Sequence, residues 1–175
     1  MKSNFVFILL AILLFFPPAM PARGEPARFS DVRAELEVIL ADLSTNLDAF
    51  NDIQLKMDAS AKANENYSQQ KNIFLSSMLA ISTIIAICEY ERDLLTLFID
   101  LREKNRGKFY DVRIESLETS VRQIENMYRQ IQINYTIFPP NFFDAPLIRK
   151  ERLTIQSSIR LLTRCRQLLI SVHQQ

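Results

Sequence analysis

Tryptophan is absent from this chain of 175 residues, histidine occurs once, and cysteine and glycine occur twice each. The single histidine, His173, leaves no imidazole in the body of the chain for a Ser-His-Asp type of triad. Neither a paired Glu-x-x-His motif nor Cys-x-x-Cys-His occurs, so the di-iron and covalent-haem uses of helical bundles are excluded. His173 and Cys165 stand eight residues apart with no third or fourth ligand marked out, so no metal and no cofactor is expected. Too few glycines remain for a phosphate-cradling loop, or for the positive-φ turns that an all-β protein needs at many places. Charge of one sign is missing too. The formal net charge is +1 with 23% charged residues, which gives no basic field to draw in nucleic acid.

What is present begins with an address. Lys2 precedes an apolar run from Phe5 to Phe16, Pro17 and Pro18 end it, and Ala22-Arg23-Gly24 supplies small residues around a cleavage site. Residues 1–24 read as a signal peptide, with a mature chain from Glu25. Twelve apolar residues would span about 18 Å as a helix, too short for a hydrocarbon core of about 30 Å. An exported product, periplasmic or extracellular, is expected, with no cysteine near the site to carry a lipid anchor.

The mature chain, residues 25–175, reads as one all-α domain with four helices at about 30–63, 69–105, 109–137 and 146–173. Leu36, Leu40, Leu43, Leu47 and Phe50 recur at spacings of three and four, with Ser30 or Asp31 as the expected N-cap. The second segment carries Phe74, Met78, Ile81, Ile85 and Cys88 and is expected to be the central, most buried helix. Asn105-Arg106-Gly107 is its stop signal, whereas Asn64 to Ser68 is a softer boundary through which a continuous helix could run. Tyr110, Ile114, Leu117, Val121, Ile124, Tyr128, Ile131 and Tyr135 form the most regular stripe, of coiled-coil type, ended by Pro139 and Pro140. Ile148, Ile155, Ile159, Leu162, Cys165, Leu169 and Val172 mark the fourth helix.

Short connections predict an antiparallel up-down-up-down four-helix bundle. Residues 30–65 hold eight acids and three bases, and residues 147–175 hold six bases and one acid, a complementarity that suits side-by-side first and last helices. Cys88 and Cys165 fall on apolar stripes at similar heights, as either a disulfide or two buried thiols. Arg92 follows Cys88 on its stripe and is the candidate core polar residue, paired with a carboxylate or anchoring a ligand. Phe138, Phe142 and Phe143 lie in a proline-stiffened loop that either plugs the bundle or docks a protein or membrane. Asn66 and Asn134 match the glycosylation acceptor pattern. The function these features support is a non-enzymatic structural or adaptor bundle acting through a protein partner. The runner-up is a small-ligand site in the core near Arg92, and the heptad stripes also permit a homo-oligomer.

Overall fold

The structure, a computed structural model, describes residues 25–60, 67–101, 109–138, 142–143 and 145–173. These hold four helices and no strand: α1 Glu25–Ser60, α2 Tyr67–Asp100, α3 Tyr110–Tyr135 and α4 Ala145–His173. Residues 1–24, read as a signal peptide, residues 61–66, and Asn105 to Gly107, read as a helix stop, lie outside the described residues. The chain is an all-α four-helix bundle. α1 packs on α2 and α4, and α3 packs on the same two, so the helices close a ring in which each has two neighbours.

α1 begins earlier than the cap chemistry suggested, and Ser30 and Asp31 lie inside it. Pro26 falls in its first turn, where a missing backbone N–H leaves nothing unpaired. Tyr67 and Ser68, read as boundary residues, already belong to α2. At the other end of α3, the amides of Thr136, Ile137 and Phe138 each donate to a carbonyl three residues back, which tightens the chain ahead of Pro139.

The core runs along the bundle through Phe29, Leu36, Leu43 and Phe50 of α1, Phe74, Ile81, Ile84 and Leu95 of α2, Leu117, Ile124 and Ile131 of α3, and Ile155, Leu162 and Leu169 of α4. Its faces are rotated from those that apolarity alone marks. In α3 the buried residues are Tyr110, Arg113, Leu117, Ser120, Ile124, Ile131 and Asn134, while Ile114, Val121, Tyr128 and Tyr135 flank the core half-buried. Successive residues are about 100° apart around a helix, so choosing the apolar residue at the fourth position over the polar one at the third turns the inferred face by one residue. Asn46 is buried where Leu47 was expected, Glu91 where Arg92 was, and Ser158 where Ile159 was. A helix in a ring has two contact flanks, and the polar flank of α3 meets α2 while its aromatic flank meets α4. Asn134 donates to the Ser77 hydroxyl of α2, and Tyr135 donates to Glu151 of α4.

Burying this many hydroxyls is tolerable because helical Ser and Thr can donate to the preceding turn. Ser77 donates to the Ile73 carbonyl, Thr154 to that of Lys150, and Ser158 to that of Ile155. The complementary charge of the outer helices is used between them: Arg164 meets Glu35 at 2.7 Å and Lys150 meets Asp42 at 3.3 Å. These exposed pairs help choose neighbours and are each worth under about 1 kcal/mol.

Candidate functional site

The largest concentration of polar chemistry inside the bundle lies where α2 faces α3. Glu91 is 1% exposed and Arg113 is 5% exposed, and one Arg113 nitrogen, Nη1, reaches Glu91 Oε2 at 2.6 Å. The other carboxylate oxygen accepts from Ser116 at 3.1 Å and from Ser120 at 2.7 Å. Glu91 is therefore fully engaged, whereas Arg113 Nε and Nη2 are buried with no protein partner. A polar layer does interrupt the core next to Cys88, but Arg92 is not in it. Arg92 sits at the edge of the bundle, paired with Asp93 at 2.9 Å and Glu37 at 3.6 Å. The ligand site placed near Arg92 thus has its core polar residue reassigned to Glu91, three residues on from Cys88 on the inward face.

Cys88 and Cys165 are both buried free thiols flanking this layer. Cys88 lies against Ser158 of α4, and Cys165 feels the Arg113 and Glu91 charges. Burial pushes the Cys88 thiol up to about 12 and the Cys165 thiol up to about 11, so both stay protonated and poorly nucleophilic near neutral pH. Among the described residues no group of three or more His, Cys, Asp and Glu side chains could hold a metal ion.

A second polar site lies at the aromatic end. Glu151 is 0% exposed, accepts a 2.7 Å hydrogen bond from the Tyr135 hydroxyl on Oε2, and has no partner for Oε1. Burial pushes its carboxyl up to about 7, against the opposing pull of the Tyr135 hydrogen bond and the Arg152 charge. Burial and the adjacent carboxylate push the Tyr135 hydroxyl well above its ordinary value, so it stays a donor. Asn46 of α1 is another buried group whose amide nitrogen lacks a partner.

The three loop phenylalanines gather over this end instead of standing out from it. Phe138 is buried, Phe142 and Phe143 are half-buried, and Phe143 is the hub. Its ring centroid lies 4.8 Å from Phe142, 4.9 Å from both Phe138 and Tyr135, 5.9 Å from Phe74 and 6.2 Å from Phe50. Of the two readings of the loop, the plug is the one this packing matches, and Phe138, Phe142 and Phe143 offer no projecting tip. Phe143→Ser should therefore destabilise the bundle by about 3 kcal/mol, read as a lowered urea midpoint at unchanged slope. A loss under about 1 kcal/mol would mean that the plug is only loosely seated.

Asn134 is also withdrawn from the surface, with its amide nitrogen on Ser77 and its oxygen accepting from Gln130. A glycan has no room there in the folded chain. Asn66 lies outside the described residues.

The sequence stripes overlooked one surface entirely. α2 is long and apolar enough to cross a membrane, yet only 33% of its most apolar stretch is buried in the bundle. It is not the central helix, because a ring has no centre to occupy. Leu79, Tyr90 and Leu97 of α2, Val112 and Ile133 of α3, and Phe109 just before α3 are each between 45% and 69% exposed. Thr83, Tyr90 and Leu97 are seven residues apart, as are Leu79 and Ala86, and Val112, Thr119 and Ile133 fall on multiples of seven. Heptad spacing holds each set on one face. A groove of about 570 Å³ joins the two helices on that face, lined by Thr83, Ala86 and Tyr90 of α2 and by Val112, Ser116 and Thr119 of α3. The clue in the sequence is the charge-free run from Ile73 to Cys88, which carries more apolar residues than one inward face can take up.

Compared with protein-family models, with curated proteins and with solved structures, the chain matches none of them.

Proposed function

We propose that the chain is exported, folds as an antiparallel up-down-up-down bundle, and acts without catalysis by docking another protein on the outer face of α2 and α3. The alternating direction is supported by which residues meet. Phe29 near the start of α1 packs on Phe98 near the end of α2, while Asp58 near the end of α1 pairs with Lys71 near the start of α2. Tyr110 opens α3 against Phe98, and its ring stacks on His173 at the end of α4. Export rests on the charged, apolar and small-residue order of residues 1–24, and the mature protein should begin at Glu25 by intact mass.

The observation that carries the docking reading is the exposed apolar row of α2, Leu79, Tyr90 and Leu97, running beside a groove to which α3 contributes the exposed Val112. Scattered surface leucines need no explanation, but a row with a groove between its helices is the form in which bundles receive another helix. The α2 wall has no charge from Ile73 to Cys88 while Glu115 lines the α3 wall, so the partner should present a helix face that is apolar towards α2 and carries no acid towards α3. The acidic and basic outer faces are poorer docking candidates, because Glu35, Asp42, Lys150 and Arg164 already answer one another.

The test is photocrosslinking in the native host, with a benzophenone side chain placed at position 79, 90 or 164. Discrete adducts at 79 and 90, and none at 164 on α4, are expected, and a second copy of the chain would show as a dimer-sized adduct. Labelling at 164 equal to that at 90, or no adduct anywhere, would remove the reading. Leu79→Lys with Tyr90→Lys should abolish the adduct formed by a probe at 97 while shifting stability by less than about 1 kcal/mol.

A further inference from the structure

A second groove, sharing no residue with the docking face, lies where the end of α3 and the plug meet the first half of α4. It encloses about 630 Å³ and is lined by Tyr135, Phe138, Phe143, Ile148, Arg149 and Arg152 among others. That volume falls in the range of small-molecule sites, about 300 to 1,000 Å³. Its lining is of two kinds: aromatic rings with Ile148 and the half-exposed Leu153, and two guanidinium groups one helical turn apart on α4.

Both arginines are exposed, and, like Arg160, which bonds only the Ser157 hydroxyl, neither closes an ion pair among the described residues, although the Arg152 charge acts on Glu151. Three other cations of α4 meet carboxylates: Lys150 reaches Asp42, Arg164 reaches Glu35, and Arg166 reaches Glu118 at 2.9 Å. Arg149 and Arg152 form no ion pair with any carboxylate among the described residues. Two unpaired guanidiniums beside an apolar trough match a ligand that is anionic at one end and apolar along its length. A planar carboxylate suits the guanidinium fork, which binds such groups through two parallel hydrogen bonds. A cationic ligand would be repelled by both, and a rigid polar anion would leave the aromatic walls unused.

We propose that this groove binds a free single-chain carboxylate, fatty-acid-like, with its anionic head on Arg149 and Arg152 and its tail along Phe138, Phe143 and Ile148. The site differs in kind from the ligand pocket expected near Arg92, since it opens at the surface of α4 and leaves the buried Glu91–Arg113 layer untouched. It places the ligand against the plug, so occupancy also braces Phe143 and raises the melting temperature.

Isothermal titration of the intact purified protein with dodecanoate, below its micelle concentration, tests the site. Saturable one-to-one binding is expected, with dodecanol weaker by at least tenfold and dodecyltrimethylammonium not bound. Arg149→Gln combined with Arg152→Gln should weaken dodecanoate binding at least tenfold at an unchanged melting temperature, and Arg164→Gln, outside the groove, should leave affinity unchanged. Four results would each overturn the proposal: no saturable binding, equal affinity for dodecanol, full affinity in the double variant, or response only to phosphatidylglycerol vesicles. The last would reassign the arginines to a membrane surface. None of these outcomes touches the crosslinks at 79 and 90, so the ligand site and the docking face stand or fall separately.

Discussion

Glu91→Gln should destabilise the bundle by about 3 to 5 kcal/mol, the cost of leaving a buried charge without its partner. The substitution removes the one charge that answers Arg113, whose Nε and Nη2 already lack protein partners. It leaves a nearly fully buried guanidinium beside an uncharged amide, with no route to water short of unpacking α2 from α3. Arg113→Met should cost less, because the carboxylate it strands keeps two hydroxyl donors, Ser116 and Ser120. The combination Glu91→Leu with Arg113→Met should recover most of the loss, since a buried ion pair replaced as a unit by apolar side chains of similar size is often neutral or better. Urea unfolding of Glu91→Leu, Arg113→Met and their combination, analysed as a cycle, should give a coupling energy above about 2 kcal/mol. Additive single effects would mean that the pair contributes nothing as a pair. If the double variant is fully stable but no longer forms the crosslink at position 90, the layer serves to fix the register of α2 on α3 and so the shape of the docking groove.

The second large effect is on pH dependence. Glu151 has a folded-state carboxyl near 7 against an ordinary value of 4.5, so the folded protein holds this proton more tightly than the unfolded chain does. Its stabilising contribution is therefore fully present below about pH 4.5, declines as the pH rises, and is lost above about pH 7. The gap corresponds to about 3 kcal/mol, since each unit is worth about 1.4 kcal/mol. Other carboxylates titrate in the same window, so the difference between Glu151→Gln and the parent protein is the quantity to measure. That difference should favour the variant by about 3 kcal/mol at pH 8 and fall towards zero near pH 4.5. Tyr135 can still donate to the amide oxygen, so packing of the plug is retained. A difference that does not change between pH 4.5 and 8 would show that Glu151 is ionised in the fold throughout and that its burial is compensated in some other way.

Both effects arise at residues that the hydrophobic stripes passed over, and for one reason. A stripe is found by choosing apolar residues, and at each step of three or four the choice fell on Ile114 over Arg113, Val121 over Ser120, and Leu47 over Asn46. Those choices still gave an all-helical chain, because either option repeats every 3.5 residues. They gave the wrong flank, because direction around the axis changes by about 100° per residue. Glu91 and Glu151 could have been found by extending the inward series from Ile84 through Cys88 to Glu91 to Leu95, and from Ile155 back to Glu151. Acids are seldom placed in a core without a visible partner, and here the partners lie on other helices.

Local chemistry in the sequence was sufficient for the helical class, the number of helices and the polar character of the layer beside Cys88. Periodicity, the stop before Pro139 and the scarcity of glycine all act within a turn or two of the chain and need no tertiary information. Three matters were decided only when the helices came together. The ring arrangement gave each helix two neighbours, so the apolar surplus of α2 was left facing outwards at Leu79, Tyr90 and Leu97. Packing turned Phe138 and Phe143 inwards onto Phe50 and Phe74, residues that lie 64 or more positions away in the chain, with Phe142 against the two of them. Ion pairing across seams occupied Glu35, Asp42, Lys150 and Arg164 and left Arg149 and Arg152 without an ion pair among the described residues. Each of these depends on which residues meet across a distance in sequence, and no periodicity within a single helix encodes that.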